Sequence, residues 1–567
     1  MGLTAALGIG RSALTAYQAA LTVVGQNIAN VATPGYTRTS ARLTGVPGAG
    51  LSVGQLGSGV QLDSVRRAVN ESLNARLRLA GADQQSALAE RNSLLRVESI
   101  FDPLGEFNLG SLIDTFFQSL GDLQNTPDDI ASRGIVINNA QALAERIHGV
   151  RRELVGHREE LNADIEQLVL RADDIATRIA DLNVQIASSE ASTGGPAAAL
   201  RDERDRLLAE LSESFAVTTR EQPSGAVNVF IGSAALVQFG QSFGLKTTTE
   251  INSQGLSVAV VRFKIDNGQV KPPSGGVEGL INARDTHVGG QLTRLDALAG
   301  ALINEINKLH AGGQGLKGFA GLTGQTAVVD PTLALNAIGN GIFFSPKTGS
   351  FFIDVKDASG AIVRTQINVD LDGIGADTTL NALAADINAN VPNVTATVLA
   401  DGRLQLSAAG GTTLTFADDT SGVLASLGLN TLFSGHDALT IGVSALVASD
   451  PALLAAAKAG LSGDGSNATA LANLKDQAVA VLGGASLSEY YNATVSHMAV
   501  SGSAARSAMQ AADIIFDSLT AQRESISGVN LDEEAVSLIS YQRAYEGAAR
   551  YMNVVDEMLQ VLLSLVR

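Results

Sequence analysis

Residue patterns that could support catalysis or cofactor binding are few in this chain of 567 residues. One is the glycine-rich segment Gly313–Gly318, which has the GxGxxG spacing of dinucleotide-binding loops. Such a loop must follow a β-strand, whereas the residues before Gly313 repeat with helical spacing, so we interpret the segment as an ordinary loop. The sequence contains no HExxH, and no lysine directly follows a glycine, which excludes a P-loop.

Candidate metal ligands are equally sparse. Asp370–Gly373 and Asp464–Asn467 resemble fragments of calcium-binding loops, but neither has the full twelve-residue ligand pattern, and turn formation explains both. The histidines show no metal-binding spacing on a shared helix face, and paired acids such as Glu159-Glu160 are typical of solvated helix faces. The sequence therefore predicts no catalytic residue, no cofactor and no metal.

Composition narrows the class of protein further. The formal net charge of −18 disfavours binding to nucleic acid or to an anionic membrane, because phosphate repels an acidic chain. Cysteine is absent, which excludes disulfides and thiolate chemistry and suits a protein that enters oxidising surroundings. Hydrophobic residues make up 45% of the chain, enough for several domain cores.

Heptad repeats mark both ends of the chain. The C-terminal rows are Leu531, Leu538, Tyr545, Met552, Leu559, Val566 and Tyr541, Ala548, Val555, Leu562. The N-terminal rows are Leu7, Leu14, Leu21, Ile28 and Leu3, Tyr17, Val24, Val31, with Gly10 as a gap. Such rows predict helices that bury one face. Because no later element can cover the last helix, we expect its cover to be the other terminus or another molecule.

The N-terminal helix raises the question of a signal peptide or a membrane span. Residues 12–37 carry no charge, but Gln18, Gln26, Asn27 and Asn30 interrupt the apolar residues. A spanning helix needs about 20 mostly apolar residues, and a signal peptide needs a basic segment before its apolar core. We expect neither a membrane span nor a cleaved signal peptide.

The middle of the chain alternates between helical and β patterns. Heptad spacing predicts a helix of about 70 Å over residues 140–188, and another helix over 286–310; we interpret both as core helices of a bundle. Residues 215–283 show strand-like alternation. Within 323–446, turns at Asp357–Gly360 and Asp401-Gly402 predict two hairpins, with a short helix over Leu380–Asn390 between them.

These patterns predict a multidomain α+β protein, with long terminal coiled-coil helices and a helical-bundle domain that carries inserted β-rich domains. A break at Ser527–Asn530 separates the last helix from a preceding helical region that starts near Pro451. The predicted segments are 1–65 (N-terminal assembly), 66–214 (long helices), 215–285 (β-rich), 286–322 (helical return), 323–446 (inserted outer domain), 447–526 (long helices) and 527–567 (C-terminal assembly helix).

Two motifs at opposite ends resemble a known family. Residues 26–38, QNIANVATPGYTR, resemble the N-terminal signature of flagellar rod, hook and hook-associated proteins. Residues 527–534, SGVNLDEE, then 541–545, YQRAY, and 556–559, DEML, resemble their C-terminal signature. Residues 279–285, GLINARD, and the long helices resemble the flagellar hook-associated protein 1 (FlgK) family within that superfamily.

The resemblance implies a structural, non-enzymatic subunit of the hook–filament junction. It implies an extracellular place on the flagellum, export through the flagellar type III channel, and self-association into a ring or tube. The implied partners are the hook protein, hook-associated protein 3 as the adaptor to flagellin, and a cytosolic chaperone of the C-terminal helix. The predicted N-terminal interface is Leu3, Leu7, Leu14, Tyr17, Leu21, Val24, Asn27, Ile28, Asn30, Pro34, Gly35 and Tyr36. The predicted C-terminal and chaperone-binding interface is Leu531, Leu538, Tyr541, Tyr545, Met552, Val555, Leu559, Leu562 and Val566.

Alternative functions belong to other classes. The chain could be a secreted type III translocator that acts on membranes, or another axial protein of the rod or hook. A surface enzyme or adhesin that uses residues 323–446 is a third possibility, although the sequence shows no constellation of residues for it.

Overall fold

The structure is a computed structural model. It describes residues 3–33, 35–47, 50–51, 54–55, 57–105, 108–193, 195–461 and 463–565. The chain divides into two compact units. Residues 1–93, 159–284 and 503–567 make up the first unit, and residues 94–158 and 285–502 make up the second.

Thirteen α-helices lie in the described part of the chain. They are α1 Leu3–Ala29, α2 Glu71–Phe101, α3 Leu109–Leu123, α4 Ile130–Thr193, α5 Ala198–Ser214, α6 Gly276–Asn282, α7 Gly289–Ala311, α8 Leu380–Asn390, α9 Val423–Ser426, α10 Ala445–Ser449, α11 Ser466–Asn473, α12 Leu487–Ser527 and α13 Leu531–Leu565. A π-helical turn, Ala283–Val288, joins α6 to α7. None of these helices is long and apolar enough to cross a membrane.

The described strands are short and all pair antiparallel. They are β1 Thr39–Gly45, β2 Gly50–Leu51, β3 Gly54–Gln55, β4 Val60–Arg67, β5 Val217–Glu221, β6 Val227–Ile231, β7 Ala234–Gln238, β8 Gln241–Ser242, β9 Leu245–Ile251, β10 Ser257–Phe263, β11 Gly321–Thr323, β12 Gly349–Lys356, β13 Ile362–Val369, β14 Val394–Val398, β15 Leu404–Ala408, β16 Thr413–Ala417, β17 Phe433–Ser434 and β18 Gly442–Val443.

In the first unit, α1 packs against α13 and against the hairpin of β1 and β4. The hairpin pairs Thr39 with Arg67 at its base and Gly45 with Val60 near its tip. A four-stranded sheet in the order β5-β6-β7-β8 and the β9-β10 hairpin form the β-rich part. Between α2 and α12, a small apolar cluster joins Leu73 and Ala80 to Leu519.

In the second unit, one continuous apolar core runs through residues 311–429. Two three-stranded sheets, β13-β12-β16 and β11-β15-β14, contribute to this core with α8. Phe351, Phe416 and Leu406 are almost fully buried in it. Alternating apolar residues on β12 and β15 face inward because strand side chains point to opposite faces in turn.

Several predictions about elements are confirmed. The fold is a multidomain mixture of α and β structure. Both predicted hairpins form, β12 with β13 and β14 with β15, and α8 spans the predicted residues. The break at Ser527–Asn530 separates α12 from α13. Gly313 follows helix α7, as the loop interpretation requires.

Other predicted bounds differ from the structure. The long helix extends beyond residues 140–188, to Ile130–Thr193, because the polar positions that blur its heptad pattern do not interrupt helical hydrogen bonding. Helix returns at Gly276, within the predicted β-rich segment. Residues 451–486 hold only short helical pieces, contrary to the predicted helical region. The hairpin of β1 and β4 was not predicted. The seven segment boundaries stay a prediction.

Candidate assembly interface

The two ends of the chain meet along helices α1 and α13. Alanine and leucine, both strong helix formers, dominate α1. Asn530 precedes α13, and its side-chain oxygen accepts the backbone N–H of Asp532 at 3.0 Å. Asp532, Glu533 and Glu534 then occupy the first turn, where the positive end of the helix dipole favours negative charge. The sequence thus specifies both helices locally, before they pair.

Small residues set the contact between these helices. Ala16 and Ala20 are buried on α1, as is Gly10, the position that interrupts the N-terminal heptad row. The side chain of Met552 lies against Gly10, so closely that a Cβ at that position would collide with the Met552 sulfur. Gly10 therefore allows α13 to approach α1 closely. The heptad pattern showed this position only as a gap in the row.

The predicted N-terminal residues differ in their burial. Val24 and Asn27 are buried, and Leu7, Leu14, Tyr17, Leu21, Ile28, Asn30, Gly35 and Tyr36 are partly buried. The side chain of Leu3 and the residue Pro34 lie outside the described residues. The most buried row on α1 is the alanine row, displaced from the predicted leucine row. A leucine row beside buried alanines leaves part of the larger side chains accessible to solvent.

The predicted C-terminal residues are mostly accessible. Only Val555 is buried, and Leu538, Tyr541, Met552 and Leu559 are partly buried. Leu531 is 51% exposed, Tyr545 36% and Leu562 49%, and Val566 lies outside the described residues. Further apolar side chains of α13 are exposed: Val536, Ile539, Val554, Met558, Val561 and Leu563. Helix α13 therefore presents apolar surface that α1 does not cover.

A buried polar network links the two ends near the start of α13. The Asn27 amide nitrogen donates to the Thr39 carbonyl at 2.8 Å and to Glu534 Oε2 at 3.0 Å. The Asn27 amide oxygen accepts from the hydroxyls of Tyr36 and Thr39, at 2.8 and 3.1 Å, and from the Thr39 backbone N–H at 3.1 Å. Asn27 is 1% exposed and Glu534 2%. Such complete pairing offsets the cost of burying polar groups.

Arg38 supplies the charge that Glu534 requires. Its Nε lies 2.8 Å from Glu534 Oε1, and its Nη1 lies 2.7 Å from Glu533 Oε2. Burying a carboxylate without a partner is costly, so this ion pair is a condition for placing Glu534 inside. Burial also raises the pKa of Tyr36, and the carboxylates of Asp202 and Glu534 add to that rise. Tyr36 therefore remains a neutral hydroxyl donor to Asn27.

The break between α12 and α13 is tied to the same region. The backbone N–H of Arg38 donates to the Ser527 carbonyl at 2.9 Å, and the Ser527 hydroxyl donates to the Ala68 carbonyl at 2.6 Å. Ala68 N–H in turn donates to the Arg38 carbonyl at 2.8 Å. We call Asn27, Tyr36, Arg38, Thr39, Ser527 and Glu534 the terminal lock. Arg38, Thr39, Ser527 and Glu534 were not among the predicted interface residues, although three of them lie within the two signature motifs.

A possible cation site among the described residues is a group of three acids, Asp370, Asp372 and Asp377. They lie on the surface. Asp372 accepts the backbone N–H of Ile374 at 2.8 Å, and Asp377 accepts that of Gly373 at 3.0 Å. These bonds are the turn chemistry that the sequence predicted for Asp370–Gly373.

Comparison with known proteins finds similarity to flagellar proteins along the chain. A family model described as the flagellar hook-associated protein FlgK helical domain matches residues 94–324. Two further models match the ends: "Flagella basal body rod protein" over residues 7–37 and "Flagellar basal body rod FlgEFG protein C-terminal" over 520–565. Flagellar hook-associated protein 1 of Salmonella typhimurium is 25% identical over 569 residues, covering 98% of each chain. Over almost its whole length, the chain is similar to proteins of the flagellar hook-associated protein 1 (FlgK) family.

Other relatives show the same similarity. Flagellar hook-associated protein 1 of Escherichia coli K12 is 25% identical over 98% of each chain. The protein of that name from Bacillus subtilis is 23% identical, over 100% of this chain and 98% of its own. The solved flagellar hook junction protein FlgK from Burkholderia pseudomallei shares the fold, with a TM-score of 0.50 and 16% identity over 80% of this chain and 100% of that one. The FlgK family consists of flagellar structural proteins, which supports a non-enzymatic role for this chain at the level of the family.

Proposed function

We propose that this chain is a structural subunit of the hook–filament junction that assembles through its paired terminal helices. One observation carries the proposal: Asn27 and Glu534, which are 507 residues apart, form a buried hydrogen bond at 3.0 Å. That bond sets the register of α13 on α1, and the exposed apolar residues of α13 remain for neighbouring subunits. A register device combined with an uncovered apolar row is what a self-assembling helix pair requires.

The proposed partners follow the same logic. Copies of the chain would cover Val554, Val561 and Leu562, which are exposed on α13. The hook protein would contact one side of the resulting ring and hook-associated protein 3 the other. Before assembly, a cytosolic chaperone would cover the same apolar residues, because an exposed apolar helix in the cytosol is prone to aggregate.

Export through the flagellar type III channel completes the proposal, and it places the assembled subunit outside the cell. Similarity to flagellar hook-associated protein 1 supports it. Mass spectrometry of the protein secreted by a hook-bearing strain tests this route. We expect an uncleaved N-terminal segment, and we expect no secreted protein when the flagellar export ATPase is removed. Secretion that persists without that ATPase would argue against the route.

A deletion of residues 531–567 tests assembly directly. We expect hooks without filaments in electron micrographs and loss of motility, because α13 supplies half of the helix pair. Normal filaments on this strain would overturn the proposal.

A triple substitution tests the exposed apolar surface of α13 without removing the helix. Replacing Val554, Val561 and Leu562 by serine removes exposed apolar surface and retains the terminal lock. We expect secreted protein that fails to build filaments. The matched control replaces the exposed polar residues Gln542, Asn553 and Gln560 of the same helix by serine, and it should assemble normally.

A further inference from the structure

A cavity of about 260 Å³ lies within the first unit, between α2, α5 and α12. Leu77, Ala209 and Phe516 contribute apolar walls, and Arg78 and Thr520 contribute polar ones. This volume is large enough for a side chain or a small organic molecule. The cavity belongs to none of the contacts between α1 and α13.

Two buried polar atoms of residues that line the cavity have no hydrogen-bond partner among the described residues. They are Nε of Arg78 and Oγ1 of Thr520. Arg78 is 8% exposed, and its guanidinium donates to Thr219 Oγ1 at 3.0 Å. Within the described part of the chain it forms no ion pair, and burial lowers its pKa. A buried guanidinium whose N–H lacks an acceptor costs free energy unless another group supplies that acceptor.

The other charged groups around the cavity are largely occupied. Arg206 pairs with Glu203 and Glu210, and Asp205 pairs with Arg67. Arg523 has one long hydrogen bond, 3.5 Å, to the Gly35 carbonyl. Glu213 is the remaining lining carboxylate; burial raises its pKa, and the charge of Arg171 opposes that rise. Arg78 and Arg523 also line the cavity and form no ion pair with a carboxylate of the described residues, so they bring positive charge to it.

We propose that this cavity binds a carboxylate carried on a short apolar stem. The carboxylate accepts from Arg78 Nε–H and from the Thr520 hydroxyl, and the stem packs on Leu77 and Phe516. Arg523 adds a second positive charge, and charge-assisted hydrogen bonds to guanidinium are among the strong ones. A glutamate side chain of a second copy and a free short aliphatic acid both have this chemistry. The proposal does not depend on the proposed function.

Calorimetric titration of the full chain with butanoate tests the site, with butanamide as the uncharged isostere. We expect one butanoate site per chain and no binding of butanamide. Saturation should also raise the melting temperature, by about 2 °C at ten times the Kd. Absence of butanoate binding, or equal binding of the amide, would overturn the proposal.

Variants assign the binding to the cavity. Arg78→Met should weaken butanoate binding at least tenfold, and Thr520→Val, which keeps the side-chain shape, about threefold. Arg76→Met removes an exposed arginine from the same helix and should leave binding unchanged. If circular dichroism shows that Arg78→Met is not folded like the parent chain, the effect of Thr520→Val on butanoate binding tests the assignment instead. Binding that neither variant weakens would place the ligand elsewhere and refute the assignment.

Sedimentation of the same proteins distinguishes the two sources of the carboxylate. If a second copy supplies a glutamate, self-association should be reduced by butanoate and by Arg78→Met, but not by butanamide. If the ligand is a free acid, butanoate should bind without changing the sedimenting mass. Either result keeps the carboxylate site and identifies what occupies it.

Discussion

The terminal helices and the core of residues 311–429 bury their apolar residues to very different extents. Among the residues of helix α13 whose side chains are described, Val555 is the one buried apolar residue, and Leu562 is half exposed. In the region 311–429, strands and helix α8 enclose one core in which Phe351, Phe416 and Leu406 are almost fully buried. Because apolar burial dominates folding free energy, the core can stabilise itself, whereas α13 gains little from the burial of its own apolar side chains. From this difference we expect the terminal helices to need contacts with other molecules to bury their remaining apolar side chains.

Limited proteolysis of the monomer gives the largest expected contrast. We expect rapid loss of about 60 residues from each end, while residues 311–429 resist, because cleavage follows local opening. Mass spectrometry of the fragments over time measures this. Ends that survive as long as the core would contradict coupling between assembly and terminal folding.

A pair of alanine substitutions tests the same contrast by packing. Phe416→Ala should destabilise the region 311–429 by about 3–5 kcal/mol, because it leaves a cavity in a closed core. Leu562→Ala should change monomer stability by less than about 0.5 kcal/mol, since that side chain is half exposed. Hydrogen exchange in β12 and β16, or in α13, reports each effect. A large loss of protection from Leu562→Ala in the monomer would show that the free subunit already covers α13.

The terminal lock can be broken at its buried carboxylate. Glu534→Ala removes the buried carboxylate that Asn27 and the partly exposed Arg38 share, and should cost about 2 kcal/mol of local stability. Digestion of both ends should then accelerate roughly 30-fold if cleavage follows the open population. Glu533→Ala removes the exposed partner of Arg38 and serves as the control, with an effect of under about 0.5 kcal/mol. Equal losses of local stability in the two variants would contradict a special role for Glu534.

Acid should destabilise the second unit through His310. This fully buried side chain donates from Nδ1 to the Asn430 carbonyl at 2.7 Å, and its Nε2 accepts the Ala455 N–H at 3.0 Å. Burial lowers its pKa to about 4, and the charge of Arg133 acts in the same direction.

In the unfolded chain, His310 takes up a proton near pH 6.5. The free energy of unfolding is therefore highest above that pH and falls as the pH drops toward 4, by at most about 3 kcal/mol. Denaturation midpoints followed by circular dichroism between pH 7 and 4 measure the loss. His310→Asn should flatten the pH dependence, and His148→Gln, at an exposed position, should not. An unchanged slope in His310→Asn would refute the assignment.

Local sequence signals predicted elements more accurately than they predicted contacts. Turn pairs at Asp357–Gly360 and Asp401-Gly402 gave both hairpins, and the break at Ser527–Asn530 gave the start of α13. The hairpin of β1 and β4 escaped prediction because residues 44–59 are rich in glycine and its pairing is long-range. At the interface, the heptad rows indicated which helices pair. They placed the contact at the leucines, however, whereas the close contact lies at the alanines and Gly10.

The sequence by itself determined the helices, the two end motifs and, through them, the similarity to the FlgK family. Helix spacing, capping and turn chemistry act over a few residues, so they can be read along the chain. Tertiary structure alone decided that Asn27 meets Glu534 and that Met552 lies on Gly10. It also decided that Arg78 lines a cavity and that its Nε–H has no hydrogen-bond partner among the described residues. Those outcomes depend on residues hundreds of positions apart, whose burial and charge matter only after the fold brings them together.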